Sequence, residues 1–381
     1  MNRRDFVGVS AAALAGLASR NESTVPDGTD GASRIPLVHI TDLYHPPQDP
    51  DDHVDLATVV ALEEYDLKAV ILDPTRKFLI PAPGGFDIAR DPGFAPVVQL
   101  GYLLGRTIPV ATGPDEPLRS VKDDIGDRMA QEQGGVRLLL DILESSQEKV
   151  VVSLVGSGRV LAAACNRNPG LVRSKVKEVL LNAGSTGGTK REWNVGLDPH
   201  AYAALWQKGL PITWFPCATE KSAFNPDHER GTYWKTSHAR IFESLSPAMR
   251  SWFTFALSRD ASGNIIGRLN DLRKAESWDG ILKEERNMWA TASLVMGAGR
   301  VLAQLPEGWR FVPANPAPPG RIWQWRLDPI VASVNENAEV DWRAAGKSGN
   351  VRLFWRERGP EFAAAMSEAL GALLGSLCRE R

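Results

Sequence analysis

The chain has 381 residues, a length that fits one large α/β domain or two ordinary ones. Its 44 Lys and Arg nearly balance its 46 Asp and Glu, a formal net charge of −2, so nothing points to nucleic acid or an anionic membrane as partner. Hydrophobic residues make up 43% and charged residues 24%, a globular composition with ample core, and no stretch is apolar and long enough to span a bilayer.

The first residues do not read as part of a fold. Asn2-Arg3-Arg4-Asp5-Phe6 is followed by a short, weakly apolar run of small residues, Val9 to Ala18. Basic, apolar and small regions in that order make an export signal, and the paired arginines before Phe6 are similar to the twin-arginine type. Residues 1–33 are therefore expected to be signal and linker, with a periplasmic or secreted destination, and 34–381 to be the working domain.

Ile35 to Ile40 is short, apolar and β-branched, as a buried strand should be. Val54 to Leu62 has helical spacing. Between the two, and at the helix start, lie Asp42, Asp49, Asp51, Asp52 and Asp55. Open α/β sheets place ligand sites in such loops beyond the strands' carboxyl ends. One or two of these carboxylates could cap the helix, but five exceed what capping needs. Like charges this close call for a cation, protons or hydrogen bonds, and the pattern points to a hard divalent ion held by oxygens. Strands then alternate with helices. Leu67–Leu72, Ile108–Gly113, Lys149–Val155, Val176–Leu181 and Leu210–Phe215 read as strands. Residues 97–105, Gly134–Glu144, 160–165 and 198–207 read as helical. This rhythm predicts an α/β fold, a mostly parallel open sheet with helices on both faces. Residues 218–285 are aromatic-rich and less regular, expected as a helical cap that either walls a pocket or is plain core. After a Pro-rich crossing, alternation at 321–326 and 351–356 predicts a β-hairpin-like extension, with a helix over 360–377 behind it. Cys165, Cys217 and Cys378 are too few and scattered for a disulfide framework or zinc cluster, and read as buried thiols.

The stretch Thr41-Asp42 … Asp51-Asp52, with its Pro-containing turn and Ala-containing helix, resembles the opening of the inosine/uridine-type nucleoside hydrolases. The spacer Leu43 to Pro50 is longer than the family's, and Asp55 competes with Asp52 for the deeper position. The resemblance runs on through Val150–Gly158, Lys177–Gly184, Glu192-Trp193-Asn194, Asp198-Pro199 and Gly209–Thr213. It implies cleavage of an N-glycosidic bond with Ca²⁺ as cofactor. Asp42, Asp52 and the Ser157 carbonyl would hold the metal, Asp51 would be the base, and Asn182, Glu192 and Asn194 would contact the ribose. Asp198 reads as a helix cap and His53 as a partly exposed loop residue. The partner would be a small nucleoside or sugar, and homo-oligomerisation is left open.

One departure stands out. The family closes its site with a His-Asp pair opening a helix, whereas Arg286-Asn287-Met288 precedes the matching helix, 289–296, here. Asn287 offers a neutral oxygen, or Glu284 or Glu285 substitutes if the register slips. The family's histidine before Gly135 is replaced by Gln131-Glu132-Gln133. The two readings are accordingly an exported nucleosidase and a non-catalytic or re-specialised nucleoside- or sugar-binding member of the same fold.

Overall fold

The structure, a computed structural model, describes residues 33–80, 90–187, 192–273, 278–346 and 349–378. Compact units divide after Ser33; the expected export signal lies outside the described residues, and the unit from Arg34 is described here.

Six strands alternate with helices in the first part: β1 (Ile35–Thr41), β2 (Tyr65–Leu72), β3 (Val110–Thr112), β4 (Val150–Val155), β5 (Val176–Asn182) and β6 (Ile212–Phe215). Two small antiparallel pairs follow, β7 (Trp234–Ser237) with β8 (Glu285–Met288), and β9 (Arg300–Leu305) with β10 (Gly308–Pro313). The tail adds β11 (Trp325–Val334), β12 (Val340–Ala344), β13 (Val351–Arg356) and a helix, Phe362–Leu374. The main sheet runs β12-β11-β13-β6-β5-β4-β1-β2-β3. Strands β1 to β6 are mutually parallel and β13 joins β6 parallel, while β11 and β12 run antiparallel at the end.

The apolar runs explain this layering. Every residue of β4 is buried. Its side chains alternate between two cores: Val151 packs with Leu37 and Leu180 on one face, and Val152 and Leu154 pack with Val38, Ile40, Val179 and Leu181 on the other. A central parallel strand covered on both faces can be nearly apolar throughout, and β4 is, its one polar residue, Ser153, meeting His39 of β1 at 3.2 Å.

Four expectations need correction. The first helix spans Asp51–Ala61, three residues earlier than apolar periodicity suggests. Pro50 sets a helical φ of −72° just before it, and carboxylates in the first turn favour the helix dipole. His53 therefore rides inside the helix, fully buried, 5.5 Å ring to ring from Trp252. Residues 285–288 form a strand, β8, rather than the lead-in to a helix, and the helix itself is Thr291–Gly297. Finally, the tail is no appended hairpin. A third strand, β12, lies in the region read as turns, and all three strands extend the main sheet. The aromatic segment divides between both roles offered for it. Trp252, Phe253 and Phe255 are buried core on the helix Pro247–Leu257, while Phe224 is exposed.

Candidate active site

A cleft of about 780 Å³ opens at the carboxyl ends of β1, β4 and β5. That is where the twist of an open parallel sheet leaves room for a ligand. Asp42 follows β1, Val155 ends β4, and Asn182 ends β5. The helix Asp51–Ala61 adds Asp51, Asp52 and Asp55. Glu192, Trp193 and Asn194 form another side, with residues 217–224 beyond them, and Trp289 and Ala290 complete the wall.

The lining has seven carboxylates, Asp42, Asp49, Asp51, Asp52, Asp55, Glu192 and Glu220, and one ammonium, Lys221. Asp55 is fully buried, and neither of its oxygens has a hydrogen-bond partner. Asp52 accepts one bond, from Thr41 Oγ1 at 3.2 Å. Burial, and then Asp49, Asp52 and Asp55, hold the Asp51 carboxyl well above the usual range. Burial raises Asp52 too, followed by Asp42 and Asp55. Asp42 is pushed up to about 8 by burial and by Asp73. Arg286 reaches only the outermost of these groups, its Nη1 lying 3.5 Å from Asp49. The N-cap residue is Pro50, so Asp51 does not cap the helix.

On the opposite wall, Asn182 donates to the Leu154 and Leu180 carbonyls at 3.3 and 3.2 Å. Those bonds fix the amide with its Oδ1 buried and unpartnered. Gln48 Oε1, also in the lining, is in the same condition. Glu192 caps the short helix Trp193–Leu197 and accepts from Gly184 N at 2.8 Å and Asn194 N at 3.0 Å. Asn194 Nδ2 donates to the Asn182 carbonyl at 3.1 Å.

The structure thus brings Asp42, Asp51, Asp52, Asn182, Glu192 and Asn194 together around one cleft. Ser157 lies behind it. Its N–H and Oγ donate to Asp73 at 2.5 and 2.7 Å, and Val155 is the residue of that strand end that lines the cleft. Asn287 is also elsewhere: its Oδ1 accepts from Tyr233 at 2.9 Å on the β7–β8 pair, and Glu285 pairs with Lys235. No histidine lines the cleft among the described residues. Asp198 is the expected cap, accepting from Ala201 N at 2.9 Å, and it also meets buried Arg159 at 3.3 Å.

Sequence reasoning gave no role to Asp73 or Arg159, whereas the aromatic segment was expected as pocket wall or core, and its Phe224 lines the cleft. Asp73 ends its strand as Asp42 does, and that shared position was the available signal. Phe224, Tyr233 and Trp289 meet only through the fold, with centroids 5.3 to 5.6 Å apart.

The donor set fits a hard cation in kind: buried oxygens, several anionic, two on Asp55 without any partner. Among the described residues, no three His, Cys, Asp or Glu side chains stand grouped as a ready chelate, so binding an ion means drawing carboxylates together. What the cleft offers is acceptors in excess, which suits hydroxyl donors and a cation.

The family model described as inosine-uridine preferring nucleoside hydrolase matches residues 91–271. The pyrimidine-specific ribonucleoside hydrolase RihA of Enterobacter sp. (strain 638) is 29% identical over 185 residues, 42% of this chain and 55% of that protein. The chain thus spans about half the length of the curated relatives it matches. Among solved structures, a purine-preferring ribonucleoside hydrolase from Gardnerella vaginalis is 13% identical and covers 89% of this chain and 99% of its own, with a TM-score of 0.49. The type III effector XopQ, solved complexed with adenosine diphosphate ribose, is 16% identical over 91% of this chain and 95% of its own, also at 0.49. Over residues 91–271 the chain is similar to the inosine-uridine preferring nucleoside hydrolases, at low identity to the curated proteins it matches.

Proposed function

We propose that this chain hydrolyses the N-glycosidic bond of a ribonucleoside or a related N-glycoside. The observation that carries the reading is the surplus of buried acceptors, Asp55 Oδ1 and Oδ2, Asn182 Oδ1 and Gln48 Oε1, in a cleft lined by seven carboxylates. A ribose supplies the missing hydroxyl donors.

Asn182 and Asn194 would orient the sugar, with Glu192 shaping the turn between them. Asp42 and Asp52 would hold a divalent cation, Ca²⁺ by our reading, whose chemistry when bound is to polarise water and ligate ribose hydroxyls. Asp51 takes the proton of the water that attacks C1′. The glycosidic electron pair leaves on the base nitrogen, which takes its proton from solvent because no histidine faces the cleft among the described residues. Arg3-Arg4 and the small residues after them support export, with the domain proper from residue 34 onward.

The test is release of free base and reducing ribose from inosine and uridine, with Ca²⁺ and with EDTA. Turnover abolished by EDTA is expected. Arg286-Asn287-Met288 in place of a His-Asp pair, and a described lining without histidine, favour a second reading, a nucleoside- or sugar-binding protein. That reading would show as ligand-induced thermal stabilisation without ribose production, and such a result overturns the hydrolase.

A further inference from the structure

We infer that Trp342, on β12 at the edge of the main sheet, is a positioning residue that sets the cleft wall carrying Glu192. Trp342 does not line the cleft. Its indole Nε1 donates to the Thr186 carbonyl at 2.9 Å. Thr186 belongs to the short segment after β5 that does three things at the wall. Gly184 N–H holds the Glu192 carboxylate at 2.8 Å. Gly184 O and Thr186 N bond the backbone of Ala218, at 3.0 and 3.2 Å, tying in the second wall loop. Gly187, itself in the lining, packs so closely on Glu220 that an added Cβ would lie 3.2 Å from that side chain.

The same indole faces a cation that fastens the second loop. The Arg230 guanidinium lies 5.5 Å from the Trp342 ring, pairs with Asp328 on β11 at 2.9 Å, and donates to the Phe354 carbonyl on β13 at 3.2 Å. Arg356, fully buried on β13, donates to the Pro226 and Gly231 carbonyls at 2.6 and 3.1 Å. The tail strands therefore strap both loops of one wall, and Trp342 is the residue that touches both straps. Loops hold a binding geometry only as well as the rigid elements beneath them. That the cleft takes a nucleoside rests on the proposed function; that Trp342 holds the wall does not.

The test compares Trp342→Phe with Trp355→Phe in the full chain. Phenylalanine at 342 keeps a six-membered ring for Arg230 and removes the five-membered ring that carries the indole N–H. Trp355, on β13, lies 3.6 Å from the Arg326 guanidinium, so its substitution perturbs the same strands without touching either strap. By hydrogen–deuterium exchange, peptides covering 184–187 and 217–224 are expected to exchange at least threefold faster in Trp342→Phe and at wild-type rates in Trp355→Phe. With inosine or uridine, KM rises about fivefold in Trp342→Phe while kcat holds, the equivalent of one hydrogen bond at about 1 kcal/mol. Unchanged exchange in Trp342→Phe, or equal acceleration in Trp355→Phe, overturns the inference. A wild-type chain that turns over neither nucleoside sinks the hydrolase reading instead, and exchange alone then decides the role of Trp342.

Discussion

Asp51 and its neighbours are held at a cost to the fold that only function explains. Buried like charges destabilise unless something neutralises them, and the described cleft gives Asp51 and Asp55 other carboxylates for company. Asp51→Asn removes one charge and the proposed base together. It should lower kcat by about 10² to 10⁴ and raise the melting temperature of the metal-free protein by a few degrees. Steady-state kinetics and a thermal melt of one preparation check both halves; a variant that keeps its kcat removes Asp51 from the mechanism. The pH dependence follows from the same groups. Asp42 is raised to about 8 from 3.8, so the folded state binds its proton more tightly. Its contribution to stability is complete below the unfolded value and drains away as pH rises through about 8. His39, lowered to about 4, and His53, lowered to about 3, both by burial, act the other way. Their contribution is present above 6.5 and lost as pH falls toward the folded values. Between pH 6.5 and 8 the carboxylates act alone. In EDTA the protein should be less stable at pH 8 than at 6.5, by up to about 1.4 kcal/mol per pH unit and group. Added Ca²⁺ should stabilise more at pH 8, where it displaces fewer protons. Melts at both pH values, with and without the ion, measure this; a flat or rising profile in EDTA contradicts it.

Between β4 and the helix Arg159–Arg167 the chain turns through Gly156 and Gly158, with φ of +129° and +79°. A Cβ on Gly156 would sit 2.6 Å from Asp73 Oδ2 and 3.5 Å from Asp42 Oδ1. Gly156→Ala should therefore cost about 1–3 kcal/mol in denaturant unfolding and displace Asp73 toward Asp42. Gly105, with φ +65° but nothing within 4 Å of its added Cβ, is the contrast. Gly105→Asn should stay within about 0.5 kcal/mol of wild type, since asparagine tolerates the left-handed region. Equal losses at both positions would show that backbone conformation alone, and not the crowding at Asp73, sets the cost. These elements also show what the sequence could disclose. Val150–Val155, nearly all Val and Leu, could hardly be anything but a central strand, and the Gly-Ser-Gly turn after it announced a ligand end. Asp42, Asp51 and Asp52 were legible because charge clustered at a strand exit has few other uses. The placement of Ser157 was not, because one residue of register decides whether a turn faces the cleft or Asp73. Nor was β8: Glu285–Met288 has no alternation to betray it, and its partner Trp234–Ser237 lies some fifty residues away. Pairing over such a distance is fixed by tertiary packing, not local pattern.

The whole molecule depends on its last sixty residues more than an extension would. Strand β6 has every residue buried, and its outer edge is closed by β13 through Arg352 and Leu353. Without the tail, β6 becomes a bare apolar edge, the sort of surface that recruits other chains. The helix Phe362–Leu374 adds Phe362, Met366, Leu370 and Leu374 to the core, and β13 adds Val351, Leu353 and Phe354. Fully burying a side chain of this size is worth about 1.5–3 kcal/mol, so these seven together contribute on the order of 10 kcal/mol even at the lower value. Net stabilities of domains are about 5–15 kcal/mol, so the remainder has little margin to fold alone. A chain ending at residue 320 is accordingly expected to be insoluble, or soluble only as an aggregate without a cooperative thermal transition. Size-exclusion chromatography and circular dichroism of the truncated and full chains decide it. A monomer that melts cooperatively would mean that the parallel strands β1 to β6 hold together without the tail, and it would separate the cleft's stability from the strapping attributed to Trp342, Arg230 and Arg356.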